Sequence, residues 1–152
     1  MRIGIGYDSH RFASDRQLVL GGVEVDHELG LEGHSDADVL AHAVIDALLG
    51  ADGLGDLGTH FPPEEEQWRG ADSLDLMRTA LGMLSGPVVN VDATVICEQP
   101  RLGPVRAEME RNMSRVLSAP VSVKVTSNEG MGFVGRGEGI ACMAVALVDS
   151  EP

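Results

Sequence analysis

Apolar and polar residues alternate through the opening MRIGIGYDSH, which predicts a β-strand over residues 1–10. Leu18–Leu20 and Val23–Val25 flank Gly21-Gly22 as the arms of a tight hairpin. Periodicity fades between Asp26 and Gly33. From Ser35 to Leu49 it returns at helical spacing, with Val39, Leu40, Ala43, Val44, Ala47 and Leu48 on one stripe. Ser35 with Asp38 has the Ser-x-x-Asp form of a capping box and predicts the start of that helix. Residues 50–71 carry Gly50, Gly53, Gly55, Gly58 and Gly70, so turns, short helical pieces and loop are expected. So long an irregular segment within a compact chain points to function.

Helices are predicted again at Ser73–Leu84, where Leu74, Met77, Leu81 and Leu84 align, and at Pro104–Leu117, where Val105, Met109, Met113 and Val116 do. Pro104 suits the first turn of the latter. Strands are expected at Val88–Cys97, Val121–Ser127 and Ile140–Val148. The last, with apolar residues on both faces, belongs at the centre of a sheet or under a neighbouring subunit. The order predicts an α+β fold with a mixed β-sheet and helices packed on one face. Residues 1–152 are read as a single domain, the length suiting one core.

Composition narrows the classes of function. Aromatic residues are only 3% of the chain, so the core must be built from aliphatic residues and methionine. A formal net charge of -13 disfavours nucleic acid and anionic membrane as partners. No apolar run is long enough to span a bilayer and no leader pattern opens the sequence, so a cytoplasmic protein is expected. Cys97 and Cys142 have no metal-motif spacing and read as buried small hydrophobes rather than a disulfide.

Asp8 and His10, two residues apart on a strand, project from the same face and can share one ion. His42 sits four residues from both Asp38 and Asp46, so either carboxylate can orient its second ring nitrogen. One Asp and two His suit Zn²⁺ with a fourth position open. Spacing alone equally accommodates a surface His10 and a helix histidine held by acidic neighbours. His34 and Ser35 lie just before the helix, where an anion is favoured, although Ser35 can equally serve as a cap. Asp56 can accept from a substrate hydroxyl or merely solvate a turn.

Two motifs mislead. Gly130, Gly132 and Gly135 match GxGxxG, but a strand follows where a dinucleotide fold needs a helix. There is no Walker A loop, and Lys124 is the only lysine, so phosphates would have to be held by metals and backbone amides. The acidic run Glu64-Glu65-Glu66 reads as a solvated face.

DSH at 8–10, GHSDADVLAHAVIDALLGA at 33–51, GLGDLGTHFP at 53–62, GADS at 70–73 and GFVGRGEGIAC at 132–142 together resemble the 2-C-methyl-D-erythritol 2,4-cyclodiphosphate synthase family of the non-mevalonate isoprenoid pathway. The resemblance runs essentially end to end. It implies a homotrimer with active sites between subunits, and zinc on Asp8, His10 and His42. It implies cyclisation of 4-diphosphocytidyl-2-C-methyl-D-erythritol 2-phosphate with loss of CMP, the 2-phosphate attacking the β-phosphorus. Ser35 is then a phosphate contact and His34 a phosphate or transition-state contact. Asp46, Asp56, Leu57, Gly58, Phe61 and Glu65 fall in the substrate region, with Asp56, Leu57 and Gly58 against the erythritol. Cys97, Pro100, Arg101, Leu102, Gly103, Thr126 and Ser127 would form the cytidine pocket. Glu129 would hold a second ion, Mg²⁺ or Mn²⁺, while Phe133 and Arg136 lie near the substrate or the trimer axis.

Ser127 stands where the family usually has a threonine that assists the transition state, Asn128 replaces another threonine, Arg101 a lysine and Glu65 an aspartate. These departures bear on single contacts. The competing readings are a zinc-dependent phosphohydrolase, which lacks an evident general base here, and a non-catalytic trimeric binding protein for isoprenoid diphosphates.

Overall fold

The computed structural model describes residues 1–150. Strand β1 (Arg2–Ala13) leads to a hairpin of β2 (Leu18–Leu20) and β3 (Val23–Val25), then to the two-residue β4 (Gly30–Leu31). Helix α1 (Val39–Ala51), the short α2 (Leu57–His60) and α3 (Ser73–Leu81) follow. Strand β5 (Val88–Ile96), α4 (Arg106–Leu117), β6 (Val121–Thr126), the single-turn α5 (Gly132–Gly135) and β7 (Gly139–Val148) complete the chain. The main sheet runs β4-β1-β7-β5-β6, all antiparallel except for β5 beside β6. The fold is therefore α+β with a mixed sheet, as the pattern predicts, and β7 lies between β1 and β5.

Several expected boundaries shift, each for a local reason. Strand β1 runs three residues past His10, because Phe12 and Ala13 pair with Leu31 and Gly30. That pairing also creates β4, too short to leave a periodic signal. Helix α1 begins at Val39, not Ser35, and there is no capping box. Asp38 is the N-cap instead, its carboxylate accepting from the Ala41 amide at 2.9 Å. Helix α3 ends at Leu81, three residues early, and Gly82 follows it as the C-cap. Pro104 lies in a 3₁₀ turn over Gly103–Val105, ahead of α4 rather than within its first turn.

Helix α1 is the centre of the core. Val39, Leu40, Val44, Ile45, Leu48 and Leu49 are all fully buried, and each large aliphatic side chain so placed contributes about 1.5–3 kcal/mol. Its close approach to the sheet depends on two glycines of β1. A Cβ on Gly6 would lie 1.9 Å from the carbonyl oxygen of Ala43, and one on Gly4 would lie 2.0 Å from that of Ala47. Only glycine lets helix backbone and strand backbone come together this way.

The hairpin is tied to the same helix. Gly21 and Gly22 both have positive φ, as a tight hairpin turn requires, and their amides donate to the fully buried Asp38 carboxylate at 2.9 and 2.8 Å. Asp38 thus joins a β-turn and a helix N-terminus through three backbone donors.

Among the described residues the opposite face of the sheet carries no helix. Ile3, Ile5 and Tyr7 of β1 and Met143 and Val145 of β7 are exposed there, at 39–72%. Contiguous exposed apolar side chains on two paired strands are the mark of an association surface. Among the described residues no helix is long and apolar enough to cross a membrane.

Candidate metal centre and its cavity

Alternation along β1 turns Asp8 and His10 to the side on which α1 packs, and the Gly4–Gly6 contact sets α1 close enough for His42 to reach them. Asp8 Oδ2 lies 2.8 Å from His10 Nε2 and 3.1 Å from His42 Nδ1, and the two ring nitrogens are 3.3 Å apart. A tetrahedral ion with bonds of about 2.0–2.1 Å requires donors about 3.3 Å apart. The three side chains fit that requirement with small adjustment, and the donor set of one carboxylate and two imidazoles suits zinc.

Electrostatics agree. Burial opposes ionisation of Asp8, but hydrogen bonds and charge from His10 and His42 outweigh it and bring the carboxyl down to about 2. Burial likewise works against a charged His10, and the Asp8 hydrogen bond and charge outweigh it, raising the imidazole above its usual value. His10 Nδ1 lies 2.6 Å from the Glu32 carbonyl oxygen. A carbonyl can only accept, so Nδ1 carries the proton and Nε2 is turned to Asp8.

Neither Asp38 nor Asp46 orients His42, contrary to what helical spacing predicts. Asp38 is drawn to the hairpin, and Asp46 accepts from the Leu57 amide at 2.7 Å. Two hydroxyls take their place, Ser35 Oγ at 3.1 Å and Ser73 Oγ at 2.8 Å from His42 Nε2. Burial raises the carboxyl of Asp46, the Leu57 amide opposing it. Asp56 caps α2, accepting from the Thr59 amide at 2.8 Å and from its hydroxyl, and these bonds lower its carboxyl below the usual range.

A cavity of about 350 Å³ opens over the three donors. It brings together Asp8, His10, His34, Ser35, His42, Asp46, Asp56, Leu57, Gly58 and Phe61, ten residues that the sequence singles out. His34 Nε2 is buried there with no hydrogen-bond partner among the described residues, a polar atom whose desolvation a ligand would offset. Arg16 secures the His34 loop, donating to the carbonyls of Gly33 and Ser35 at 2.7 and 2.8 Å.

Glu65 is not on the wall. Its carboxylate accepts from the Trp68 indole at 3.1 Å, and Trp68 stacks edge-on to Phe61 with ring centres 5.1 Å apart. Trp68, Pro63 and Leu76 complete the lining and were not anticipated. Trp68 is the only tryptophan of the chain, placed in an otherwise polar loop, and that was the available signal.

The remaining predicted residues lie elsewhere in the chain. Cys97, Pro100, Arg101, Leu102, Gly103, Thr126 and Ser127 line a separate cavity of about 510 Å³. Pairing of Ser9 with Ala141, Ala141 with Ile96, and Ile96 with Thr126 puts both cavities at one end of the sheet. Strands β1 and β6 are three strand spacings apart there, roughly 14 Å. Glu129 is exposed with φ of +51°, and its Oε1 lies 3.3 Å from Ser127 Oγ. Glu98, also unanticipated, shapes this loop by accepting from the amides of Asn128 and Gly130 at 2.7 and 3.4 Å. Phe133 borders a pocket beside Ser9 and His10, while Arg136 pairs with Glu138 and faces Phe12 and His27. Cys97 and Cys142 are buried free thiols, as expected, and burial pushes the Cys97 thiol up to about 12.

Comparison with known proteins bears on this geometry directly. A 2-C-methyl-D-erythritol 2,4-cyclodiphosphate synthase of Symbiobacterium thermophilum is 56% identical, the match covering 97% of this chain and 98% of that protein. A solved structure of a synthase of the same name, in its CDP-bound form, superposes with a TM-score of 0.89 at 33% identity, over 97% of this chain and all of the other. The bifunctional IspDF of Campylobacter jejuni superposes with a TM-score of 0.90 at 36% identity, over 95% of this chain but only 41% of the longer protein. The model of the YgbB family matches residues 1–149, and with relatives this similar over their whole length, the chain belongs to the YgbB family.

Proposed function

We propose that the chain converts 4-diphosphocytidyl-2-C-methyl-D-erythritol 2-phosphate into 2-C-methyl-D-erythritol 2,4-cyclodiphosphate and CMP. The observation that carries this reading is the Asp8, His10, His42 donor set at the floor of a cavity roofed by family-matched residues, in a chain 56% identical to a synthase of that activity. The new bond joins an oxygen of the 2-phosphate to the β-phosphorus. The bond from that phosphorus to the bridging oxygen breaks, and CMP departs with the oxygen. Because the nucleophile belongs to the substrate, the protein needs to fold that molecule into reactive geometry, a contribution of up to about 7–11 kcal/mol.

A metal ion on Asp8, His10 and His42 supplies the positive charge that a chain of net charge -13 otherwise lacks around phosphates. His34, with its orphaned Nε2, donates to a phosphate oxygen as negative charge shifts during attack. Ser35 provides a further phosphate contact. Asp56, Leu57 and Gly58 receive the erythritol, with Phe61 beside them and Glu65 acting indirectly by fixing Trp68. Glu129 is the side chain assigned to a second divalent ion, Mg²⁺ or Mn²⁺, and Ser127 assists at the transition state.

The cytidine end is assigned to the cavity of Cys97, Pro100, Arg101, Leu102, Gly103, Thr126 and Ser127. Since that cavity and the metal cavity share no lining residue, we place one complete site between two copies of the chain, in a homotrimer closed over the apolar sheet face. Phosphorus NMR of the purified protein with substrate and Mg²⁺ tests the reaction. CMP and a cyclic diphosphate are expected; CMP with an open-chain diphosphate would show hydrolysis instead. Light scattering tests assembly. Three copies are expected, and a monomer at catalytic concentration would refute the shared site.

A further inference from the structure

We propose that Asp36 and Ser73 are positioning residues that fix the tautomer of His42, so that its Nδ1 lone pair is held toward the metal. Ser73 touches His42 as described above and Asp36 has no role there, although both lie in matched motifs. Ser73 is the first residue of α3 and is fully buried. Its hydroxyl is hydrogen-bonded to Asp36 Oδ1 and lies 2.8 Å from His42 Nε2. Asp36 is itself held: Oδ2 accepts from the Ser73 amide at 3.0 Å and Oδ1 from the Asp38 amide at 3.1 Å.

The proton inventory of the Asp36–Ser73 pair favours one arrangement at His42 Nε2. A carboxylate has no proton to give, so the single hydroxyl proton of Ser73 goes to Asp36. Ser73 has only lone pairs left for His42, and His42 Nε2 must donate. Nδ1 is thereby left without a proton, 3.1 Å from Asp8 Oδ2 and 3.3 Å from His10 Nε2. His10 is constrained in the same sense by the Glu32 carbonyl. In their neutral forms both imidazoles are therefore turned by two separate devices into acceptors facing a carboxylate, an arrangement that is unfavourable alone and favourable around a cation.

The loops that carry the relay are joined by backbone bonds. Gly70 donates to His34 at 2.9 Å and Asp36 to Ala71 at 3.1 Å, so the segment before α1 and the segment before α3 move as one. The second hydroxyl near Nε2, that of Ser35, accepts from the Ala37 amide at 3.3 Å and keeps a proton of its own, but at 3.1 Å against 2.8 Å for Ser73 it is the longer contact to Nε2. Asp36, Ser73 and His42 thus form a carboxylate–hydroxyl–imidazole line ending at the metal position.

The inference rests on the metal site proposed above and not on the reaction. Zinc competition with a chromophoric chelator is compared for wild type, Ser73→Ala and Asp36→Asn. Ser73→Ala keeps the amide bond to Asp36 and should remain folded, while its zinc affinity falls by about 10–100-fold. Asp36→Asn should change affinity in the same direction. A wild type that binds no zinc would defeat the metal reading. Zinc bound equally by wild type and a folded Ser73→Ala would defeat the relay alone. Independently of any variant, long-range nitrogen-15 spectra of zinc-free wild type at alkaline pH should show His42 protonated at Nε2. Protonation at Nδ1 would overturn the proposal.

Discussion

Replacing Gly6 with alanine adds a single methyl group, yet it should disturb both the fold and the metal site. The new Cβ would sit 1.9 Å from the Ala43 carbonyl oxygen and 2.8 Å from the Ala47 amide nitrogen, both backbone atoms that no rotamer change can move. Ordinary contact begins near 3.4 Å, so α1 and β1 must separate by roughly 1.5 Å at this point. Overpacking of this kind costs about 1–3 kcal/mol, and more where backbone is the obstacle. His42 immediately precedes Ala43, and its Nδ1 lies 3.1 and 3.3 Å from the other two donors. A shift of that size takes one of three donors out of range, and misplacement by about 1 Å can cost 10²-fold in function. Guanidinium unfolding of zinc-free Gly6→Ala should show a lower midpoint, and chelator competition of the folded fraction a zinc affinity at least tenfold weaker. A variant with the wild-type midpoint and wild-type affinity would refute the idea that this glycine sets the distance between helix and strand.

His42→Ala should stay folded and lose zinc, as read by elemental analysis; full occupancy would sink the ligand assignment. In the zinc-free protein, ionised Asp8 stabilises above its ordinary value of 3.8, an effect lost as pH falls toward about 2. The raised His10 stabilises below 6.5 and ceases to do so as pH rises through its folded value. Zinc uptake between about pH 4 and 6.5 should therefore release a proton, and progressively less at higher pH, in calorimetry across buffers of different ionisation enthalpy. No buffer dependence within that window would contradict it. Asp38→Ala leaves the Gly21, Gly22 and Ala41 amides without their acceptor and should cost about 2–4 kcal/mol in urea unfolding, from a lost cap and stranded donors. A loss under about 1 kcal/mol would mean that water replaces the carboxylate.

Period-two and helical patterns were enough to place β1 and α1 and to put Asp8 and His10 on one face, while joining His42 to them took the family resemblance, since spacing alone also fits a surface His10 and a helix histidine held by acidic neighbours. What holds His42 was not legible. Spacing of four residues assumes that Asp38 is helical, whereas its ψ of 88° makes it a cap whose side chain turns to a hairpin distant in sequence. The actual partner, Ser73, lies 31 residues away on another helix, and no local pattern connects the two. Strand β4 escaped because two residues cannot show a period. Trp68 escaped because it faces Phe61 across an irregular loop. The cytidine segment was reachable only through resemblance, since its residues carry no chemistry that isolated spacing would reveal.

The metal site also joins distant parts of the chain, His42 lying 32 residues from His10 and 34 from Asp8. A bound ion there closes a loop between the first strand and the central helix, as a reversible cross-link would. Whatever binds the folded form alone adds stability by mass action, about 4 kcal/mol at a thousandfold excess over its dissociation constant. Zinc supply would then govern how long each chain survives proteolysis, as well as whether it can turn over.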